Sequence, residues 1–114
     1  MVNKWELYYC SLDPTQGSEQ RGTRPVLIIS TDSVNHNLTI STVLPLSSIK
    51  GNEKIYPTEV TLSPDITGLP CLSVAMLQQI RTVSHNRLIK KVGTITDDKT
   101  KIKILEACRN YFDL

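Results

Sequence analysis

Two short stretches of this sequence gather side chains able to handle a phosphate. The first is Gly22-Thr23-Arg24-Pro25, which closes a polar loop over residues 15–23 and opens the apolar run Pro25-Val26-Leu27-Ile28-Ile29. An arginine at the mouth of a stiff, buried strand is held in place, while the glycine lets a ligand approach the backbone closely. Its guanidinium is a permanently charged, planar fork that matches phosphate oxygens. The second stretch is Ser47-Ser48, just past Pro45 at the end of another strand-like run. A hydroxyl there, next to an arginine, can hydrogen-bond a phosphate oxygen. Both stretches also have plainer readings: Arg24 as a surface arginine paired with Glu19, and the serines as turn residues. Other catalytic constellations are missing. There is no nucleophile elbow, no HExxH, no glycine-rich phosphate loop and no pair of histidines. His36 and His85 lie apart in polar, turn-like sequence, where surface placement is ordinary. Cys10, Cys71 and Cys108 are widely separated and form no CxxC, so neither a zinc site nor a disulfide framework is expected. All three read as small buried apolar residues.

The elements that must position these groups are mostly strands. The chain has 114 residues, of which 39% are hydrophobic and only 5% aromatic, which predicts one domain over residues 1–114 with an aliphatic core. The net charge of +2 is too small by itself to demand a polyanionic partner. It is uneven, however: residues 81–114 hold eight basic and four acidic side chains, and residues 1–80 hold five and seven. One end of the fold is therefore expected to be basic. No apolar run reaches the roughly 18 residues needed to cross a bilayer, and a soluble, cytoplasmic protein is expected.

Leu7-Tyr8-Tyr9-Cys10 reads as a first strand, ended by Asp13-Pro14, and residues 25–29 as a second one buried on both faces. Residues 31–37 carry turn chemistry or a single helical turn. A third strand is expected over 38–46, bent or ended by Pro45, followed by a polar loop over 47–56. The alternation in Thr58-Glu59-Val60-Thr61-Leu62 predicts a half-exposed strand. Residues 63–70 read as a loop and 73–83 as one last long strand. In the tail, residues 84–91 predict a short helix capped by Ser84 and stopped near Gly93. Thr96-Asp97-Asp98 starts another helix, whose Ile104, Leu105, Cys108, Tyr111 and Phe112 form one apolar stripe expected to pack on the sheet. About five to seven short strands with a terminal helix predict the α+β class, built on a small antiparallel, barrel-like sheet.

The block Leu12-Asp13-Pro14-Thr15-Gln16-Gly17-Ser18-Glu19-Gln20-Arg21-Gly22-Thr23-Arg24-Pro25-Val26-Leu27-Ile28-Ile29-Ser30 resembles the signature segment of the MazF/PemK toxins. A second block, Gln79-Ile80-Arg81-Thr82-Val83 with Arg87-Leu88 after it, is similar to that family's late strand motif. The resemblance implies an SH3-like barrel with a C-terminal helix, shared with the gyrase-poisoning CcdB toxins. It further implies a homodimer that cleaves single-stranded RNA at specific sequences without metal or cofactor, and a cognate MazE-like antitoxin. Carried over by position, the family's arginine falls on Arg24 and its catalytic threonine on Ser47, with Ser48 one residue away. Gln16, Glu19, Thr23, Ser48, Gln79 and Arg81 then become candidate substrate-binding residues, Glu19 being the one carboxylate of the signature loop. An Arg-x-Asp pair used by some members is replaced by Met76 and Gln78, and the Gly-Asp before the first strand by Trp5-Glu6. The rival reading is a non-catalytic protein-binding toxin of the same fold, which would need neither Arg24 nor Ser47.

Overall fold

The computed structural model describes all 114 residues. Strands β1 (Glu6–Ser11), β2 (Thr23–Ile28), β3 (Ile40–Ser48), β4 (Glu59–Leu62), β5 (Ser73–Met76), β6 (Arg81–Ser84) and β7 (Leu88–Thr94) form one antiparallel sheet. Helices α1 (Asp32–Asn37), α2 (Pro64–Thr67) and α3 (Asp98–Phe112) complete it. The α+β class, the antiparallel pairing and the terminal helix agree with expectation. The strand order is β4-β5-β3-β2-β1-β7, with β6 also on β3. Since β4 and β7 end that order and do not pair with each other, the sheet is open and not a closed barrel.

Strand β3 is the hinge of the architecture. Its first half pairs with β6, from Ile40 opposite Ser84 to Val43 opposite Arg81, and its last three residues pair with β5. Pro45 stands where the partner changes, so the missing amide hydrogen interrupts no continuous ladder. The strand therefore runs through Pro45 to Ser48 and does not stop at 46. For the same reason, the strand expected over 73–83 is split into β5 and β6 by a 3-10 turn at Leu77–Gln79.

The run in β2 is buried on both faces, as its composition requires: Val26, Leu27 and Ile28 are all fully inaccessible. Leu27 and Leu44 join a larger core with Leu7, Leu46, Leu62 and Leu77. Val26, Ile28 and Val43 face the other way, onto Cys10, Leu12 and Val83. Each fully buried leucine contributes about 1.5–3 kcal/mol relative to exposure, so the end of β2 that carries Arg24 is anchored firmly.

The tail departs from expectation. Residues 84–91 are not a helix: His85–Arg87 make one 3-10 turn and β7 follows at once. Local propensity loses because β1 offers an unpaired edge, and Leu88, Lys90, Lys91 and Gly93 pair with Cys10, Tyr9, Tyr8 and Leu7. Gly93 accordingly ends no helix. It lies where α2 touches β7, and a Cβ there would sit 2.7 Å from the Thr67 carbonyl oxygen. Residues 63–70, read as loop, contain α2, closed by Gly68 at φ +80°.

Helix α3 is capped by Asp97, whose carboxylate accepts from the Thr100 amide at 3.1 Å and hydroxyl at 2.6 Å. The helix packs on β4 and the 77–79 turn through Thr100, Ile104 and Ala107. Small flanking side chains let Ile104 reach the core, where bulkier ones would hold the helix off. Of the expected stripe only Ile104 is buried. Leu105, Tyr111 and Phe112 are exposed, and Cys108 is half-buried. The cysteine expectation also holds in part only: Cys10 is buried, but Cys71 is exposed.

Candidate active site

Arg24 and Ser47 meet because of the β2–β3 register. Val26 lies opposite Pro45, and two residues further along each strand, on the same face, stand Arg24 and Ser47. The Arg24 Nη1 lies 3.5 Å from Ser47 Oγ, a long contact that leaves the fork largely free. Arg24 Nε donates to the Arg21 carbonyl at 2.9 Å, which aims the guanidinium. The proposed pairing with Glu19 does not occur. Glu19 instead accepts from the Gln16 amide at 2.6 Å, and the chain's two ion pairs lie elsewhere, at His36–Asp32 and Lys91–Glu6. Arg24 is thus a half-buried cation without a carboxylate partner. Ser48 faces away from it, so Ser47 is the hydroxyl on the Arg24 side.

The polar loop over 12–22 is ordered by contacts far apart in sequence. The Leu12 amide donates to the Gly22 carbonyl at 2.9 Å, and the Gly22 amide donates to Asp13 Oδ1 at 3.1 Å. Gly22 has φ +77°, a left-handed conformation that favours glycine at this closure. From the opposite side, Gln79 Oε1 accepts from the Gln20 amide at 3.2 Å while Gln79 Nε2 donates to the Ser18 carbonyl at 3.1 Å. Arg81 Nη1 donates to the Leu12 carbonyl at 3.1 Å. Arg87 Nη1 donates to the carbonyls of Ser11 and Asp13. Gln79 and Arg81 therefore hold the loop from β6 and the turn before it. Gln16 is exposed within the loop, and Thr23 is exposed at its end.

At the β2 and β3 ends lies an open cleft of about 420 Å³, whose lining includes Tyr9, Arg21, Thr23, Arg24, Ser48 and Cys71. The fold therefore brings together Arg24 and Ser47, with Thr23 and Ser48 one residue behind them, and Gln79 and Arg81 at the loop. Sequence reasoning did not single out Arg21, Arg87, Tyr9 or Ser73, although Arg21 lies within the first block and Arg87 just after the second; Tyr9 and Ser73, which line the cleft, had no signal. The basic surface is not confined to the tail, because Arg21 and Arg24 of the first half stand at the same end of the fold as Arg81 and Arg87 of the second.

Cys10 and the two histidines are otherwise engaged. Burial pushes the Cys10 thiol up despite Arg81 and Arg87, which pull it down, so it stays protonated beneath the site. His85 Nε2 is 2.8 Å from Ser41 Oγ, which itself donates to Asn35 Oδ1 at 2.7 Å, and His36 Nε2 is 2.8 Å from Asn3 Oδ1. A fork without a counter-charge, a hydroxyl across from it and an ordered polar loop suit a phosphodiester placed over Arg24 and Ser47.

A family model for PemK-like, MazF-like toxins of type II toxin–antitoxin systems matches residues 3–111. Endoribonuclease MazF9 of Mycobacterium tuberculosis is 32% identical over 119 residues, covering 100% of this chain and 98% of the relative. Endoribonuclease MazF of Staphylococcus saprophyticus is 38% identical over 103 residues, covering 89% and 83%. A mycobacterial endoribonuclease solved in complex with its cognate antitoxin superposes with a TM-score of 0.81 over 100% of this chain and 97% of that one. At 22% identity, that likeness concerns the fold alone.

Proposed function

The chain belongs to the PemK-like, MazF-like toxins of type II toxin–antitoxin systems, and we propose that it is an endoribonuclease that cuts single-stranded RNA at specific sequences without a metal ion. The observation that carries this reading is Arg24: a half-buried guanidinium with no carboxylate partner, facing the Ser47 hydroxyl across the β2–β3 register. The RNA's own 2′-hydroxyl oxygen attacks the adjacent phosphorus, the bond from phosphorus to the 5′ oxygen breaks, and the 2′ proton ends on the departing 5′ oxygen. The products are a 2′,3′-cyclic phosphate and a 5′-hydroxyl. Arg24 stabilises the charge that grows on the phosphorane oxygens, where a preorganised donor acts most strongly. Ser47 donates a hydrogen bond to a non-bridging oxygen. Unpaired bases splayed along the loop supply sequence recognition through their edges, with Gln16, Glu19 and Thr23 as readers.

The protein acts as a homodimer in the cytoplasm, and no helix is long and apolar enough to cross a membrane. Exposed Ile102, Leu105 and Phe112 on α3 leave apolar surface for association. A MazE-like antitoxin, ordering on binding, neutralises it by covering the RNA surface. The protein-binding, non-catalytic alternative is disfavoured, since the relatives with which this chain aligns over most of its length are endoribonucleases. The deciding experiment incubates purified protein with a long RNA in EDTA. Discrete fragments ending in cyclic phosphate are expected. Intact RNA together with inhibited DNA supercoiling would establish the alternative.

A further inference from the structure

We propose that Asp13 is a positioning residue for the cleavage step: its carboxylate fixes the peptide unit between Arg21 and Gly22, and that unit aims the Arg24 guanidinium; the proposal rests on the ribonuclease reading above. The Arg21 carbonyl and the Gly22 amide belong to one planar trans peptide unit, so they point in opposite directions. Both ends are occupied. The Gly22 amide donates to Asp13 Oδ1 at 3.1 Å, and the Arg21 carbonyl accepts from Arg24 Nε at 2.9 Å. The plane cannot turn without breaking both bonds. Asp13 therefore governs the direction of a guanidinium with which it forms no ion pair. Without Asp13 the unit is free to rotate, because Gly22, at φ +77°, lacks the Cβ that restricts other residues.

Asp13 is itself fixed from behind. Arg87 Nη1 donates to the Asp13 carbonyl and, at 3.2 Å, to the Ser11 carbonyl, while Arg81 Nη1 reaches the Leu12 carbonyl between them at 3.1 Å. Leu12 is fully buried, and its amide donates to the Gly22 carbonyl at 2.9 Å. Residues 11–13 thus form a firm support from which the Asp13 carboxylate extends. The ordinary task of an aspartate in a turn is to bond its own backbone about two residues on. Here the near partner is only the Thr15 hydroxyl, at 3.5 Å, whereas the shorter bond spans nine residues. Arg24 needs such help, since its contact with Ser47 Oγ is 3.5 Å, too long to orient a flexible side chain. Holding Arg24 by Nε also leaves its terminal nitrogens to a phosphate.

The test measures kcat and KM of the full-length protein on a labelled single-stranded RNA, beside thermal unfolding of each variant. Asp13→Ala is expected to lower kcat about tenfold to a hundredfold, the scale of a small misplacement, with KM within about threefold of wild type. Asp13→Asn keeps an acceptor oxygen in the same place and is expected to bring kcat back to within about threefold of wild type. If Asp13→Ala does not fold, Asp13→Ser, whose shorter side chain falls away from the Gly22 amide, takes its place. An asparagine variant as slow as the alanine one overturns the proposal, since Asp13 would then act as a base or as a charge. An alanine variant with the wild-type kcat overturns it too. In an Arg24→Ala background, Asp13→Ala is expected to cost nothing further; losses that multiply mark a role that does not pass through Arg24 and refute the assignment. The Arg24 Nε–H signal in heteronuclear NMR gives a readout independent of cleavage. Its exchange with solvent should rise about tenfold or more in Asp13→Ala and stay as in wild type in Asp13→Asn. Equal exchange in wild type and Asp13→Ala sinks the positioning role. Failure of the ribonuclease reading is seen separately, as wild-type protein that cuts no RNA, whatever the exchange rates show.

Discussion

Replacing Arg24 with alanine separates the two things the side chain can do. In the folded protein, its only close partners are the Arg21 carbonyl at 2.9 Å and the Ser47 hydroxyl at 3.5 Å. One half-exposed hydrogen bond contributes about 0.5–1.5 kcal/mol, and no ion pair is lost, so Arg24→Ala should lower the melting temperature by only about 4 °C. Catalysis should suffer far more. Loss of one preorganised donor from the developing charge costs about 2.7–4 kcal/mol, or roughly a hundred- to a thousandfold in kcat. Arg24→Lys should recover little, because a point charge replaces a planar fork and cannot reach the Arg21 carbonyl in the same geometry. The assay is single-turnover cleavage of a labelled RNA in EDTA, run beside thermal unfolding of the same preparations. An Arg24→Ala protein that cuts within threefold of wild type would refute the assignment. So would one that loses activity only in proportion to unfolded protein.

Ser47→Ala should reduce the rate less than Arg24→Ala, because a neutral hydroxyl bonds more weakly than a charged donor; Ser47→Thr should retain activity, and Ser48→Thr should not rescue Ser47→Ala. Gly93→Ala should destabilise the fold by about 1–3 kcal/mol, since its Cβ would lie 2.7 Å from the Thr67 carbonyl oxygen; an unchanged denaturant midpoint would contradict the α2–β7 contact. Stability should also fall in acid through Glu6. Burial would raise its carboxyl, but Lys91, the Asn3 amide and the Tyr8 hydroxyl more than offset this, and it lies below the usual carboxylate range. The native state therefore holds this proton less tightly than the unfolded chain. The stabilisation is complete above the unfolded value and is lost as pH falls through the lower folded one. Glu6→Gln should flatten that acid limb in melts followed from pH 6 downward, and an unaltered limb would exclude Glu6 as its source.

Much of this protein was determined by sequence alone, wherever the physics is local or carried by a run of contiguous residues. The apolar, β-branched run Pro25-Val26-Leu27-Ile28-Ile29 reads as a doubly buried strand, and the polar block before it as a loop. Together they place Arg24 at a strand mouth. Asp97 caps α3 because a carboxylate three residues before an amide is a local device. Tertiary structure decided what depends on a partner distant in the chain. Ser47 and Ser48 are indistinguishable by composition, and only the β2–β3 register selects between them, since a one-residue slip turns every side chain to the opposite face. Residues 84–91 carry helix-like signals, yet most become strand because β1 leaves an edge unpaired. The face that α3 buries is set by how closely it approaches β4, which favours Thr100 and Ala107 over the larger Leu105 and Phe112. Gln79 and Arg81 hold a loop 59–69 residues away from them. Such contacts exist only after the sheet has closed the chain on itself, and no spacing in the sequence encodes them.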